Sequence, residues 1–157
     1  GGWLALELAV ISPERVKKLV LVNTVGIRKE GLPDAFVLSM ENLYDALYHT
    51  ESAKQKVREA MADPEKETEM IRNRIQTSHL AWNPYFHNPK LPNRMHRLKM
   101  PVLIVWGKED RLFPVDYGET VQQYIKGSEF KVVDHSAHFP HIEQPEAFLE
   151  LVNPFLK

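Results

Sequence analysis

The sequence predicts an α/β fold: a parallel sheet of about three strands with flanking helices, interrupted by a long all-helical insertion. Three observations predict it. Leu19-Val20-Leu21-Val22 and Val102-Leu103-Ile104-Val105-Trp106 are short apolar strand runs, the first with the pattern of burial on both faces found in a parallel sheet. An apolar helical segment precedes the first run and a helical pattern follows the second, as in βαβ units. Between Asp34 and Ala81 no strand pattern occurs, only charged helical periodicity.

Each element has its own justification. Gly2 to Ile11 reads as a helix with little polar surface beyond Glu7, expected to be buried on most sides. Ser12-Pro13-Glu14 ends it, and Val16 to Asn23 is the first strand. Asn23 to Arg28 is a loop. Asp34 to His49 carries Phe36, Val37, Met40, Leu43, Tyr44, Leu47 and Tyr48 at helical spacing, so a helix is expected over that whole span. Glu51 to Ala62 and Glu65 to Ala81 continue as helices, divided at Asp63-Pro64, where Pro suits a first turn. Trp82 to Pro92, with Pro84, Pro89 and Pro92, is a return connection. Val102 to Trp106 is the second strand, Val115 to Ile125 a helix, Glu129 to Val133 the third strand and Pro145 to Leu156 the closing helix.

Composition narrows the function classes. The chain has 157 residues, 43% hydrophobic and 26% charged, enough for one ordinary core. A net charge of −1 argues against nucleic acid or an anionic membrane as partner. No cysteine is present, which excludes disulfides, a thiol nucleophile and thiolate metal sites on this chain. No apolar run approaches the ~20 residues of a membrane span, and no signal peptide is visible. A cytoplasmic protein acting on a small molecule is the expectation; composition does not address the oligomeric state.

The chemistry lies at strand ends. In open parallel sheets, reacting groups gather past the carboxyl ends of the strands. Asp110 follows the second strand and His138 follows the third, 28 residues later. A histidine base needs a carboxylate on its far nitrogen to fix the tautomer and stabilise the imidazolium, and two neighbouring strand ends supply both. Taken alone, Asp110 also reads as a turn or capping residue before Phe113-Pro114. His135 and His141 compete with His138, and Asp116 competes with Asp110 from inside the following helix pattern. His135, His138 and His141 fit no usual zinc spacing, so no metal and no organic cofactor are expected.

Three stretches carry a resemblance. Pro101-Val102-Leu103-Ile104-Val105-Trp106-Gly107-Lys108-Glu109-Asp110-Arg111 looks like the acid-bearing segment of the α/β-hydrolase family. Ser136-Ala137-His138-Phe139-Pro140-His141-Ile142-Glu143-Gln144-Pro145-Glu146 looks like its histidine segment, and Gly1-Gly2-Trp3-Leu4-Ala5-Leu6-Glu7 resembles the helix after the nucleophile elbow G-x-S-x-G. By that resemblance the chain is the C-terminal part of such a hydrolase. Asp110 is the triad acid, His138 the base and Gly1 the last elbow glycine; the nucleophile precedes Gly1. Ala137 stands where the family usually has Gly, and Arg111 is expected as a structural salt-bridge partner.

The resemblance also implies a division of the chain. Residues 1–28 are a core segment, 29–92 a helical cap with its return connection, and 93–157 the core segment carrying acid and base. Phe139, Tyr44 and Trp82 are candidates to line the substrate pocket. The wording is most similar to hydrolases of aromatic meta-cleavage products and small-ester hydrolases. The expected activity is cleavage of an ester or C–C bond of a small apolar substrate by a nucleophile–His–Asp relay, with the 157 residues alone inactive. Two rivals remain: the same scaffold with an Asp nucleophile, as in haloalkane dehalogenases and epoxide hydrolases, and a non-catalytic α/β binding module in which Asp110 and His138 need not meet.

Overall fold

A computed structural model describes residues 1–157. Helix α1 (Gly2–Ile11) leads through a single turn at Pro13–Arg15 into strand β1 (Leu19–Val22). Helices α2 (Met40–Leu47), α3 (Glu51–Met61) and α4 (Pro64–Ala81) follow without an intervening strand. Strand β2 (Val102–Gly107), helix α5 (Val115–Tyr124), strand β3 (Glu129–Val133), the single turn α6 (Pro140–Glu143) and helix α7 (Pro145–Leu156) complete the chain. No helix is long and apolar enough to cross a membrane.

The sheet has the order β1-β2-β3, all parallel. Leu21 pairs with Ile104 and Ile104 with Phe130, so the three strands end together on one rim. β2 is central and every residue of it is buried. Its alternation divides two packing layers. Val102, Ile104 and Trp106 join α1 and α5 in the larger cluster, with Leu6, Val10, Tyr117 and Val121. Leu103 and Val105 face the other way, against Val133, Val152 and the α7 residues Phe148, Leu151 and Phe155. Burying each large apolar side chain contributes about 1.5–3 kcal/mol, so these two layers dominate the stability of the sheet.

Close packing on the Trp106 side needs small neighbours. A Cβ added at Gly118 would meet the Trp106 ring at 2.6 Å, so only glycine lets α5 lie this near β2. Trp106 Nε1 donates to Phe113 O at 2.8 Å, which satisfies its one polar atom. The buried Tyr117 hydroxyl donates to Ile27 O and accepts from Gly26 N and Ile27 N. Burial pushes its phenol up to about 12, outweighing the two backbone donors.

Three expectations are corrected. The helix expected over Asp34–His49 is confined to Met40–Leu47. Asp34 instead closes a local turn, its Oδ1 accepting from Phe36 N, and Ser39 caps α2 by accepting from Asn42 N. Short polar side chains of this kind compete with helix for the same backbone donors. The first strand is four residues, not eight, because the turn at Pro13–Arg15 delays pairing until Leu19. Helix α1 is not buried on most sides. Leu6, Ala9 and Val10 are buried, whereas Leu4 is 72% and Ile11 64% exposed. The sheet presents only one surface to this helix, and β1 pairs on one edge alone.

Candidate active site

The rim is built by three residues, one past each strand. Asn23 leaves β1 at φ 41°, a left-handed conformation that asparagine tolerates better than most residues. Its Oδ1 accepts from Gly107 N at 3.0 Å and its Nδ2 donates to Asp110 Oδ2 at 2.7 Å. Asp110 sits in the turn that follows β2, where its Oδ1 accepts from Leu112 N at 2.9 Å and Phe113 N at 3.0 Å. His138 follows β3, with its Nδ1 2.7 Å from Asp110 Oδ2.

This geometry dictates the protonation pattern. Every neighbour of the Asp110 carboxylate is a donor, so the ionised form is the one the site accommodates. A carboxylate only accepts, so Nδ1 is the His138 nitrogen that donates to it, and Nε2 is the ring nitrogen that faces away from Asp110. The Asp110 side chain is fully buried while that of His138 is 21% exposed. The pair is therefore an anchored acceptor and an accessible base, the relation a proton relay needs.

The loop that presents His138 is held from several sides. Glu109 N donates to Ser136 O at 2.9 Å and Glu109 Oε2 accepts from Ser136 N at 3.0 Å. His138 N donates to Leu47 O at 3.0 Å, and Arg111 N points to Ala46 O at 3.4 Å, so both loops lean on the end of α2. Glu143 ties the same surfaces together. Its Oε1 accepts from His49 N, Thr50 N and Thr50 Oγ1, and its Oε2 accepts from Ala137 N at 2.7 Å. In Glu143→Gln one of these acceptors becomes a donor, and the buried Ala137 N–H has no water to turn to. We expect a loss of about 1–3 kcal/mol in unfolding free energy. Urea denaturation reads it directly, and an unchanged midpoint would show that the carboxylate is not the tie.

The competing residues lie elsewhere. His135 is exposed at φ 55° and its ring lies 6.2 Å from that of His49. His141 packs on Phe139 and Phe148, and burial, then the neighbouring His138, holds its imidazole below the usual value. Asp116 pairs with Lys29 at 2.8 Å. Arg111 forms no ion pair, contrary to expectation; Lys108 instead pairs with Asp134. Ala137 is absent from the left-handed region, so its Cβ is accommodated without strain.

Of the pocket candidates, Phe139 stands beside the base, its ring 5.0 Å from that of His138. Tyr44 is buried, its hydroxyl 3.5 Å from Met70 Sδ. Trp82 is 63% exposed and lines a groove of about 360 Å³ with Phe36, Met40, Ile71 and Arg74, which neither Asp110 nor His138 borders. Other aromatic rings form a row that leads to the pair. Phe36, Phe86 and Phe113 succeed one another at 5.2 and 5.4 Å, and Phe113 lies 5.8 Å from His138. On the far side Phe139 meets Tyr48 at 5.1 Å. Gly1 opens α1, and a Cβ on Gly2 would strike Thr24 Oγ1 at 2.3 Å, so the start of α1 lies against the residue after Asn23, on this same rim.

The parallel sheet, with Asp110 and His138 meeting past neighbouring strands, has the form of a class of hydrolytic folds, and sequence comparison places the chain in one. Residues 26–145 match the family model of the alpha/beta hydrolase fold, and the chain belongs to that family. It is 30% identical to 2-hydroxymuconate semialdehyde hydrolase of Pseudomonas putida, over 99% of this chain and 59% of that protein. Among solved structures, a serine hydrolase involved in carbazole degradation superposes with a TM-score of 0.73 at 25% identity, covering 99% of this chain and 59% of that one. A thermophilic esterase superposes with a TM-score of 0.67 at 25% identity, covering 99% and 62%. The chain thus spans about three-fifths of the length of the curated relatives it matches.

Proposed function

We propose that this chain is the acid- and base-bearing part of a hydrolase that cleaves an ester or C–C bond of a small apolar substrate through a nucleophile–His–Asp relay. The observation that carries the reading is the 2.7 Å contact between His138 Nδ1 and the buried Asp110 Oδ2. The relatives support the reaction class, since one is named as a hydrolase of a semialdehyde and another as an esterase. The Phe139 and Tyr48 rings beside His138 support an apolar substrate.

In this reading residues 1–28 and 93–157 are core and 29–92 form a cap over the rim. His138 Nε2 takes the proton of the nucleophile as it attacks the carbonyl carbon. Asp110 holds the resulting imidazolium in place, and the proton then passes to the leaving group. Water completes the cycle by the same route. The 157 residues contain no G-x-S-x-G sequence. The start of α1 beside Thr24 is the position at which an elbow nucleophile would meet this rim, and the unpaired edge of β1 with the exposed Leu4, Leu8 and Ile11 is where the remaining sheet would pack.

The test uses the product of the complete reading frame, assayed with p-nitrophenyl esters and with 2-hydroxymuconate semialdehyde. At least one is turned over, and His138→Ala lowers kcat by about 10⁴-fold or more. The 157 residues alone turn over neither. Activity within tenfold of wild type in His138→Ala would sink the assignment.

A further inference from the structure

We propose that His49, Glu109 and His135 form a binding site for a divalent transition-metal ion, zinc in the first place. One ligand atom from each lies within 4.8 Å of the other two. The three residues come from separate parts of the chain: the link between α2 and α3, the turn after β2 and the loop after β3. None of them belongs to the Asp110–His138 pair, and the site does not depend on the function proposed above.

The local structure presents these atoms to one another. Glu109 spends Oε2 on Ser136 N and leaves Oε1 without a partner within the protein. Neither imidazole of His49 or His135 makes a hydrogen bond to another protein group, although the rings are 6.2 Å apart and tilted by 33°. The main chains behind them are anchored. His49 N donates to Glu143 Oε1, Glu109 N to Ser136 O, and His135 O accepts from Gln144 Nε2. His135 is held at φ 55°, in the left-handed region that histidine enters more readily than most residues. Two unpartnered imidazoles and a carboxylate with one free oxygen, converging without bonding to each other, are what a bridging cation would join.

The donor set selects the ion. Two imidazoles and a carboxylate suit zinc and its neighbours in the first transition row, whereas calcium and magnesium prefer all-oxygen shells. Zinc bonds of roughly 2.0–2.2 Å in a tetrahedron place ligand atoms about 3.4 Å apart, so the side chains close by an ångström or so on binding, with water as fourth ligand. The ion acts as a clip. It joins the α2–α3 link to the turn that carries Asp110 and the loop that carries His138, which restrains the helical segment over the rim.

Zinc titration of the protein by calorimetry, with thermal unfolding alongside, tests this. One zinc per chain is expected, with Tm rising as the ion saturates and no response to magnesium. His49→Gln and His135→Asn each weaken zinc by about a hundredfold, more than loss of an outer hydrogen-bond partner does. Asn tolerates the left-handed conformation at 135, so that variant keeps its loop. Glu109→Gln keeps an acceptor for Ser136 N while losing the anionic ligand, and weakens zinc with little change in metal-free Tm. His79→Gln, on the exposed face of α4, leaves binding unchanged. Absence of stoichiometric zinc in the wild type, or equal affinity in the His49→Gln/His135→Asn double variant, overturns the site.

Discussion

Asp110→Asn lowers kcat of the complete enzyme by about 10⁴-fold while leaving the protein folded. The reason is the donor count around the carboxylate. Oδ2 faces Asn23 Nδ2 and His138 Nδ1, and Oδ1 faces Leu112 N and Phe113 N. An asparagine must put its NH2 group on one of these two sides. Beside His138 it drives the imidazole to surrender its Nδ1 proton and protonate Nε2, the nitrogen that must accept from the nucleophile. Beside Leu112 and Phe113 it opposes two backbone donors in a fully buried setting, which costs roughly 1–3 kcal/mol per orphaned group. The first orientation abolishes catalysis and the second weakens the turn. Steady-state kinetics and urea unfolding, measured together, separate them. Activity within tenfold of wild type would show that Asp110 is not the orienting carboxylate.

Gly107→Ala destabilises the protein by about 3 kcal/mol or more and dismantles the Asp110–His138 contact in whatever remains folded. A Cβ at this last residue of β2 falls 1.8 Å from Ala137 O and 2.7 Å from Ser136 O. Both obstacles are main chain, so no rotamer change relieves them. The loop cannot simply withdraw, because Ser136 O accepts from Glu109 N and Ala137 N donates to Glu143. His138 is the next residue, and any retreat carries it from Asp110. Urea unfolding reads the energy. The downfield proton resonance of the His138 Nδ1–H reads the geometry and disappears in the variant. A variant with wild-type stability and an intact resonance would mean that the loop lies farther from β2 than this structure has it.

Much of the fold was legible because burial imposes period. Val102–Trp106 could be read as a central strand from its unbroken apolar run, and α7 from the spacing of Phe148, Leu151, Val152 and Phe155. The same logic overreached at Asp34–Ser39. Apolar residues there do sit at helical intervals, but Asp34 and Ser39 take backbone donors locally and end the helix early. The apolar surface all round α1 asks for cover on every side, and the exposed Leu4, Leu8 and Ile11 are the uncovered face expected of such a helix on a sheet of only three strands. Asn23 and Glu143 escaped as site residues for another reason. Their partners lie 87 and 94 residues away, and no local pattern marks an amide or carboxylate that will meet them.

The order of strands and helices, and the places of Asp110 and His138 past successive strands, were determined by the sequence alone, since both follow from local periodicity and chain order. Tertiary structure decided how His138, the histidine that the resemblance singles out, meets its carboxylate. His135 lies on the loop after β3 and His141 inside α6, and only the folded chain turns His138, between them, onto a buried carboxylate. It does so because Asn23, Gly107 and Glu143 fix where the backbone of that loop can lie. A side chain's direction depends on such contacts between distant segments, which a pattern of neighbours along the chain does not contain.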